Sequence, residues 1–210
     1  MKEDIVLIGA GGHAKVIVDI IKETNKYNIV GVCAYNLAKG EKFLNNIYCL
    51  GNDEELDKLY KSGVQNAVIC VGAIQKIQLR MDIYLSLKKI GFTLPTLIHS
   101  SAIISDNTTI GDGTCIMPQA VVNSGTNIGN IAIINTSAVV EHDCNVGDNV
   151  HISPRACLCG GVSIRDNTHV GAGAIINQLI SIENNVIIGS GAVVISNIQA
   201  NKKVVGIPAR

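Results

Sequence analysis

The sequence predicts a small α/β unit followed by a parallel β-helix of hexapeptide repeats. Every sixth residue from Ile104 to Val194 is a branched aliphatic: Ile104, Ile110, Ile116, Val122, Ile128, Ile134, Val140, Val146, Ile152, Leu158, Ile164, Val170, Ile176, Ile182, Ile188 and Val194. Four residues after these comes a small or apolar side chain, as in Thr114, Ala120, Ala138, Cys144 and Ala156, which gives each repeat a second inward slot. Before about Pro95 this period is absent, and short apolar runs alternate with helical patterns. The organisation therefore divides into residues 1–95 and 96–210.

In the first part, Ile5-Val6-Leu7-Ile8 reads as a buried strand, and Gly9-Ala10-Gly11-Gly12-His13 as a turn into a helix whose inner face carries Val16, Ile17, Ile20 and Ile21. Ile29 to Cys33 is a second strand. Asn52, with Glu55 three places on, caps a helix that runs to about Lys61 and stops at Gly63. Ala67 to Val71 is a third strand, and Gly72 leads into a helix from about Ile74 to Lys89, ended by Gly91. Strands alternating with helices imply a small parallel sheet, half of a Rossmann-like fold.

In the second part, a period of six fits neither the 3.6 of a helix nor simple strand alternation, but it does fit a triangular coil of three hexapeptides. Coils stacked at about 4.8 Å would make roughly five turns and a column about 25 Å tall. Gly or Asn often follows the aliphatic (Gly111, Asn123, Gly129, Asn135, Gly147, Gly171, Asn177, Gly189), which predicts left-handed backbone at those places.

Composition narrows the function. Seventeen basic and seventeen acidic residues cancel, and no basic run stands out, so neither nucleic acid nor an anionic membrane is an expected partner. No leader-like segment or long apolar run is seen, which points to a cytoplasmic protein. The seven cysteines are scattered and lack zinc-knuckle spacing, so they are expected to be reduced core residues.

Two stretches carry chemistry. The glycine turn can hold phosphate on the N–H groups of a helix start. A dinucleotide is disfavoured, because the end of the second strand offers Cys33, Ala34, Tyr35 and Asn36 where an acidic residue for the ribose is expected. A phosphate or sugar-nucleotide site and a purely structural turn remain. The second stretch is Glu141-His142-Asp143. His142 holds the third place of its hexapeptide, a corner place that points outward, where a neutral imidazole backed by a carboxylate can remove a proton from an amine or hydroxyl. Gly160 and Gly161 lie one coil of eighteen residues further on, and their missing side chains are expected to leave room for a ligand. The plainer reading is a solvated corner histidine. His151 and His169 are also eighteen apart, stacked on one face, and His151 is expected to touch a cofactor or substrate; no metal site is assigned.

With these residues in view, the chain resembles the bacterial sugar acyltransferases of the sialic acid O-acetyltransferase and bacillosamine N-acetyltransferase group. The likeness rests on Gly9-Ala10-Gly11-Gly12-His13, on Asn135-Thr136 leading to Glu141-His142-Asp143-Cys144, on Val150-His151-Ile152-Ser153-Pro154, and on Gly206-Ile207-Pro208-Ala209-Arg210. The resemblance implies a left-handed β-helix, a homotrimer, and acetyl-CoA held in clefts between columns. It implies His142 as general base, Asp143 as the residue that raises its basicity, acetyl-CoA contacts at His151, Ala172 and Ser190, and a sugar nucleotide at Gly11, Gly12, His13 and Gly72. Three places depart from the family pattern: Ala34 and Tyr35 replace an acidic pair, Ala73 replaces an Asn, and Arg155 stands where glycine is usual. The expectation is direct acetyl transfer to a sugar, first to the amino group of a nucleotide-linked amino sugar, with O-acetylation of a sialic-acid-like sugar as the alternative. A zinc hydratase using His142, His151 and His169, and a non-catalytic sugar-nucleotide binder, are the readings from other classes.

Overall fold

A computed structural model describes residues 2–72 and 77–210. The predicted helix start at Ile74 and the departure at Ala73 lie outside the described residues. Two compact units divide the chain, residues 1–97 and 98–210.

The first unit is a five-stranded sheet built from β1 (Glu3–Ile8), β2 (Tyr27–Cys33), β3 (Lys42–Leu44), β4 (Ile47–Gly51) and β5 (Asn66–Ile69), ordered β3-β4-β2-β1-β5. β1, β2, β4 and β5 are parallel, and β3 is an antiparallel edge. Ile5, Val6, Leu7 and Ile8 are all buried, as a central strand covered on both faces requires. Its helices are α1 (Gly12–Thr24), α2 (Leu56–Lys61) and α3 (Ile77–Ile90). α1 buries Ala14, Ile17, Val18, Ile20 and Ile21, and Asn52 accepts from the Glu54 N–H at 3.0 Å to cap the turn before α2. β3 and β4 have no counterpart in the sequence reading. They are short, joined through Asn45 with φ 49°, and too brief to show a period. The chain leaves β1 toward β2 on one side and returns to β5 on the other, so the strand order reverses beside the carboxyl end of β1. Gly9, just past that end, has φ 104°, and a Cβ there would lie 2.9 Å from Val71 Cγ2.

The second unit is the predicted column: three parallel sheets of seven, six and five strands, a left-handed β-helix. Face I includes Cys115–Ile116, Ile133–Ile134, His151–Ile152, His169–Val170 and Ile187–Ile188. Face II includes Val121–Val122, Val139–Val140, Cys157–Leu158 and Ile175–Ile176, and face III includes Asn127–Ile128, Asn145–Val146 and Ser163–Ile164. Partners across each ladder are eighteen residues apart, as with His151 and His169. The aliphatics from Ile116 to Val194 are at most 4% exposed, and Ala120, Ala138, Cys144 and Ala156 in the second slot are fully buried. Two inward side chains per repeat thus fill the prism. Ile104 and Ile110, in the first coil, remain partly exposed.

The corners correct one expectation. Left-handed backbone falls three places after each aliphatic from Ile110 to Ile188, at Gly113, Gln119, Gly125, Ile131, Ser137, Asp143, Asn149, Arg155, Gly161, Asn167, Gly173, Leu179, Asn185 and Gly191, not at the place immediately after it. The turn imposes the conformation even on Ile131 and Leu179, despite its cost for branched side chains. The glycines directly after the aliphatics answer a different need. A Cβ at Gly111 would lie 2.6 Å from the Gly129 carbonyl carbon, and one at Gly171 2.5 Å from the Ser190 nitrogen. They are small because the next coil's backbone passes there.

Candidate active site

His142 stands on the edge between faces II and III. Its side chain is 64% exposed, and its Nδ1–H donates to Asp143 Oδ2 at 2.8 Å. That bond leaves Nε2 as the basic nitrogen and, together with the nearby negative charges of Asp143 and Glu141, holds the imidazole above the ordinary histidine value. Asp143 occupies a left-handed place, φ 59°, which an aspartate tolerates. The same turn folds its carboxylate back over Gly125 of the preceding coil and beside the ring. Glu141, the other flanking acid, accepts instead from Asn123 Nδ2 at 2.9 Å. The space above Gly160 is not a ligand slot as expected. A Cβ there would meet His142 Nε2 at 2.6 Å, so the glycine makes room for the ring itself. Cys144, two residues along the chain, points inward and donates to the Cys159 carbonyl, and burial pushes it up to about 11, far from a nucleophilic thiolate.

His151 is on face I and only 5% exposed. The Asn135 amide donates to its Nε2 at 3.0 Å, and its ring lies 5.1 Å from that of His169. His169 Nε2 sits 2.8 Å from Ser153 Oγ, and burial lowers its proton affinity. Ala172 and Ser190 are exposed on successive coils of the edge between faces I and II, where Gly173 and Gly191 leave open space beside them. Arg155 shares that edge, and its φ of 59° explains why glycine suits the place.

These residues do not meet within one column. A triangular prism has one edge opposite each face, and the edge that bears His142 is opposite face I, which carries His151. Within one column the two groups therefore lie on opposite sides of the prism. No cluster of three or more metal-ligating side chains occurs among the described residues.

In the first unit, Gly11 and Gly12 begin α1. Gly11 caps the helix with no side-chain bond, and among the described residues a Cβ at either glycine would meet nothing within 4 Å, at a helix start whose N–H groups can hold an anion. His13 Nε2 is shielded from solvent and has no hydrogen-bond partner among the described residues. Burial, reinforced by the Arg80 guanidinium, lowers its pKa to about 4, so the ring is neutral. Arg80 is itself 1% exposed and donates to the Val71 carbonyl, next to Gly72. The sequence reading missed this buried cation because α3 reads as an ordinary amphipathic helix.

A hexapeptide-repeat β-helix behind an α/β unit, with a carboxylate-backed imidazole on one edge, defines the class. The family model described as the PglD N-terminal domain matches residues 4–87. PerB from Caulobacter crescentus, solved with CoA and GDP-perosamine, is 30% identical with a TM-score of 0.92, over 99% of this chain and 96% of that one. The acetyltransferase domain of PglB from Neisseria gonorrhoeae, solved with acetyl coenzyme A, is 32% identical with a TM-score of 0.89, over 100% and 99%. WeeI from Acinetobacter baumannii is 26% identical with a TM-score of 0.87, over 100% and 99%. No curated protein sequence matches the chain. The chain belongs to the sugar N-acetyltransferases of the PglD type.

Proposed function

We propose that the protein transfers the acetyl group of acetyl-CoA to the amino group of a nucleotide-linked amino sugar, a step in cell-surface glycan synthesis carried out in the cytoplasm. The observation that carries this reading is the exposed His142–Asp143 pair on a column matched along its whole length by enzymes solved with CoA. His142 Nε2 takes a proton from the acceptor amine as its nitrogen attacks the thioester carbonyl, and Asp143 steadies the imidazolium. The tetrahedral intermediate collapses with cleavage of the C–S bond. The thiolate recovers the proton, leaving the amide and CoA.

Acetyl-CoA fits the edge that bears Ala172 and Ser190, where small residues let a pantetheine chain lie along the backbone, with His151 below it. Because that edge and His142 belong to different sides of the prism, the reading requires a homotrimer in which each site takes its base from one copy and its acetyl-CoA contacts from another. The acceptor's diphosphate is assigned to Gly11, Gly12, His13 and Gly72. The neutral His13, with a buried nitrogen free among the described residues to donate to an oxygen, supports it.

The test is release of CoA from acetyl-CoA against UDP-, GDP- and TDP-linked amino sugars, free sialic acid and CMP-sialic acid. Turnover is expected with one of the nucleotide-linked amino sugars. Turnover only with sialic acid or its CMP form would move the protein to O-acetylation, and failure to bind acetyl-CoA would sink the assignment.

Asp143→Ala is expected to move the acid limb of the kcat/KM profile to lower pH. Asp143 raises the pKa of His142, so without it the imidazole loses its proton at lower pH, and as a weaker base it also gives a lower plateau. A limb that stays in place in the variant would remove Asp143 from the role.

A further inference from the structure

Of the seven cysteines, Cys33, Cys49, Cys70, Cys115 and Cys144 are buried, and Cys157 and Cys159 are partly exposed. These two share one rung of face II. Cys157 opens the strand, Leu158 is buried in the prism and Cys159 follows it, so both thiols stand on the outer side of the sheet. Burial, with Cys159 beside it, raises the proton affinity of Cys157. The pair is held from closing on itself. The Cys157 N–H donates to the Ala174 carbonyl at 2.8 Å and the Cys159 N–H to the Ile176 carbonyl at 3.0 Å, which keeps the strand extended. Side chains two residues apart on such a strand are spaced by about 6.6 Å, whereas a disulfide needs its Cβ atoms within roughly 3.5–4.5 Å of each other.

Cys159 also borders the reactive edge. Gly160, the next residue, is the glycine whose missing side chain makes room for His142 Nε2. Face II lies between the edge of His142 and the edge of Ala172 and Ser190, so in the homotrimer proposed above both its borders line clefts and its thiols stay at the surface between them.

We infer that Cys159 is a modification site at which CoA is captured as a mixed disulfide, with the disulfide of CoA as the oxidant, and that the adduct stops turnover by fixing a CoA moiety beside His142. The inference rests on the reading of acetyl-CoA as the donor. If His142 takes the proton of the amine that attacks the thioester, the sulfur end of the pantetheine chain lies near its Nε2, and therefore near Cys159. The Cys159 sulfur attacks one sulfur of the CoA disulfide, the S–S bond breaks, and the second CoA departs as a thiolate that takes up the proton Cys159 has lost. Cys159 is oxidised and one CoA is reduced to its thiol. A neighbouring thiol in reach would then expel the bound CoA, but the extended strand keeps Cys157 from forming that bond, so the adduct persists until an external thiol reduces it. Binding of the CoA moiety before exchange makes the step effectively unimolecular, which favours CoA disulfide over a small disulfide with the same S–S bond.

The experiment is incubation of the full chain with CoA disulfide or with glutathione disulfide at equal concentration, read by intact mass and by peptide mass mapping, with acetyl-CoA binding to the untreated protein measured by calorimetry. CoA disulfide is expected to place a single CoA on Cys159, on the order of tenfold faster than glutathione disulfide reacts there. Excess acetyl-CoA is expected to slow the addition, and dithiothreitol to remove the adduct and restore turnover. Cys159→Ser is expected to take no CoA, and Cys157→Ser to take it as the unaltered chain does. Equal rates with the two disulfides, or no protection by acetyl-CoA, would overturn the inference and leave Cys159 an ordinary surface thiol. CoA on Cys157, or a disulfide between Cys157 and Cys159, would overturn it too. A protein that binds acetyl-CoA yet forms no adduct would overturn this inference alone, while one that does not bind acetyl-CoA would take the donor reading down with it.

Discussion

Replacement of His142 by alanine is expected to lower kcat by about 10³, within the range of roughly 10²–10⁴ that a positioned general base contributes. The side chain is mostly exposed and stands outside the prism, so stability should change by less than about 0.5 kcal/mol. Two neighbouring groups are not set to replace it. Glu141 is engaged by Asn123, and Cys144 is held as a thiol. The comparison is single-turnover acetyl transfer in both proteins, alongside thermal unfolding. A variant that keeps more than a tenth of the rate would show that the amine needs no base from this edge.

The second large effect is on the fold. Gly171→Ala should cost about 3 kcal/mol, the upper end of overpacking, and lower Tm by on the order of 10 °C. The added Cβ would meet backbone atoms of the next coil at 2.5 and 2.6 Å, and backbone cannot swing aside as a side chain can. Gly173→Asn, two residues on, should be nearly neutral. Gly173 has φ 67° with nothing within 4 Å of its Cβ among the described residues, and asparagine already holds the equivalent places at Asn149, Asn167 and Asn185. Equal losses in the two variants would refute the separation between glycines that serve close approach and glycines that serve a turn.

That separation marks where the sequence was legible. The inward aliphatics repeat without a break because packing in a prism leaves one solution per rung, so the column could be read from Ile104 to Val194. The corners could not. Glycine satisfies both a crowded backbone and a left-handed one, and a single chain of letters does not say which. Only the coil stacking distinguishes Gly171 from Gly173. His142 was legible because an imidazole at a corner place has no packing duty, but the choice between Glu141 and Asp143 as its partner depends on the φ of Asp143. β3 and β4 were out of reach for a simpler reason: each is too short to show a period.

The position of His142 outside the hydrophobic prism bears on how such enzymes diversify. In many enzymes a change at the reactive group disturbs the core and is limited by the stability threshold. Here the rungs that hold the protein together and the edges proposed to meet reactants are separate residues of one repeat. Away from the close-approach glycines and the left-handed places, substitutions of outward side chains along the edges are filtered mainly by their chemistry, and a lineage can explore new acceptors there without first acquiring compensating changes in the core.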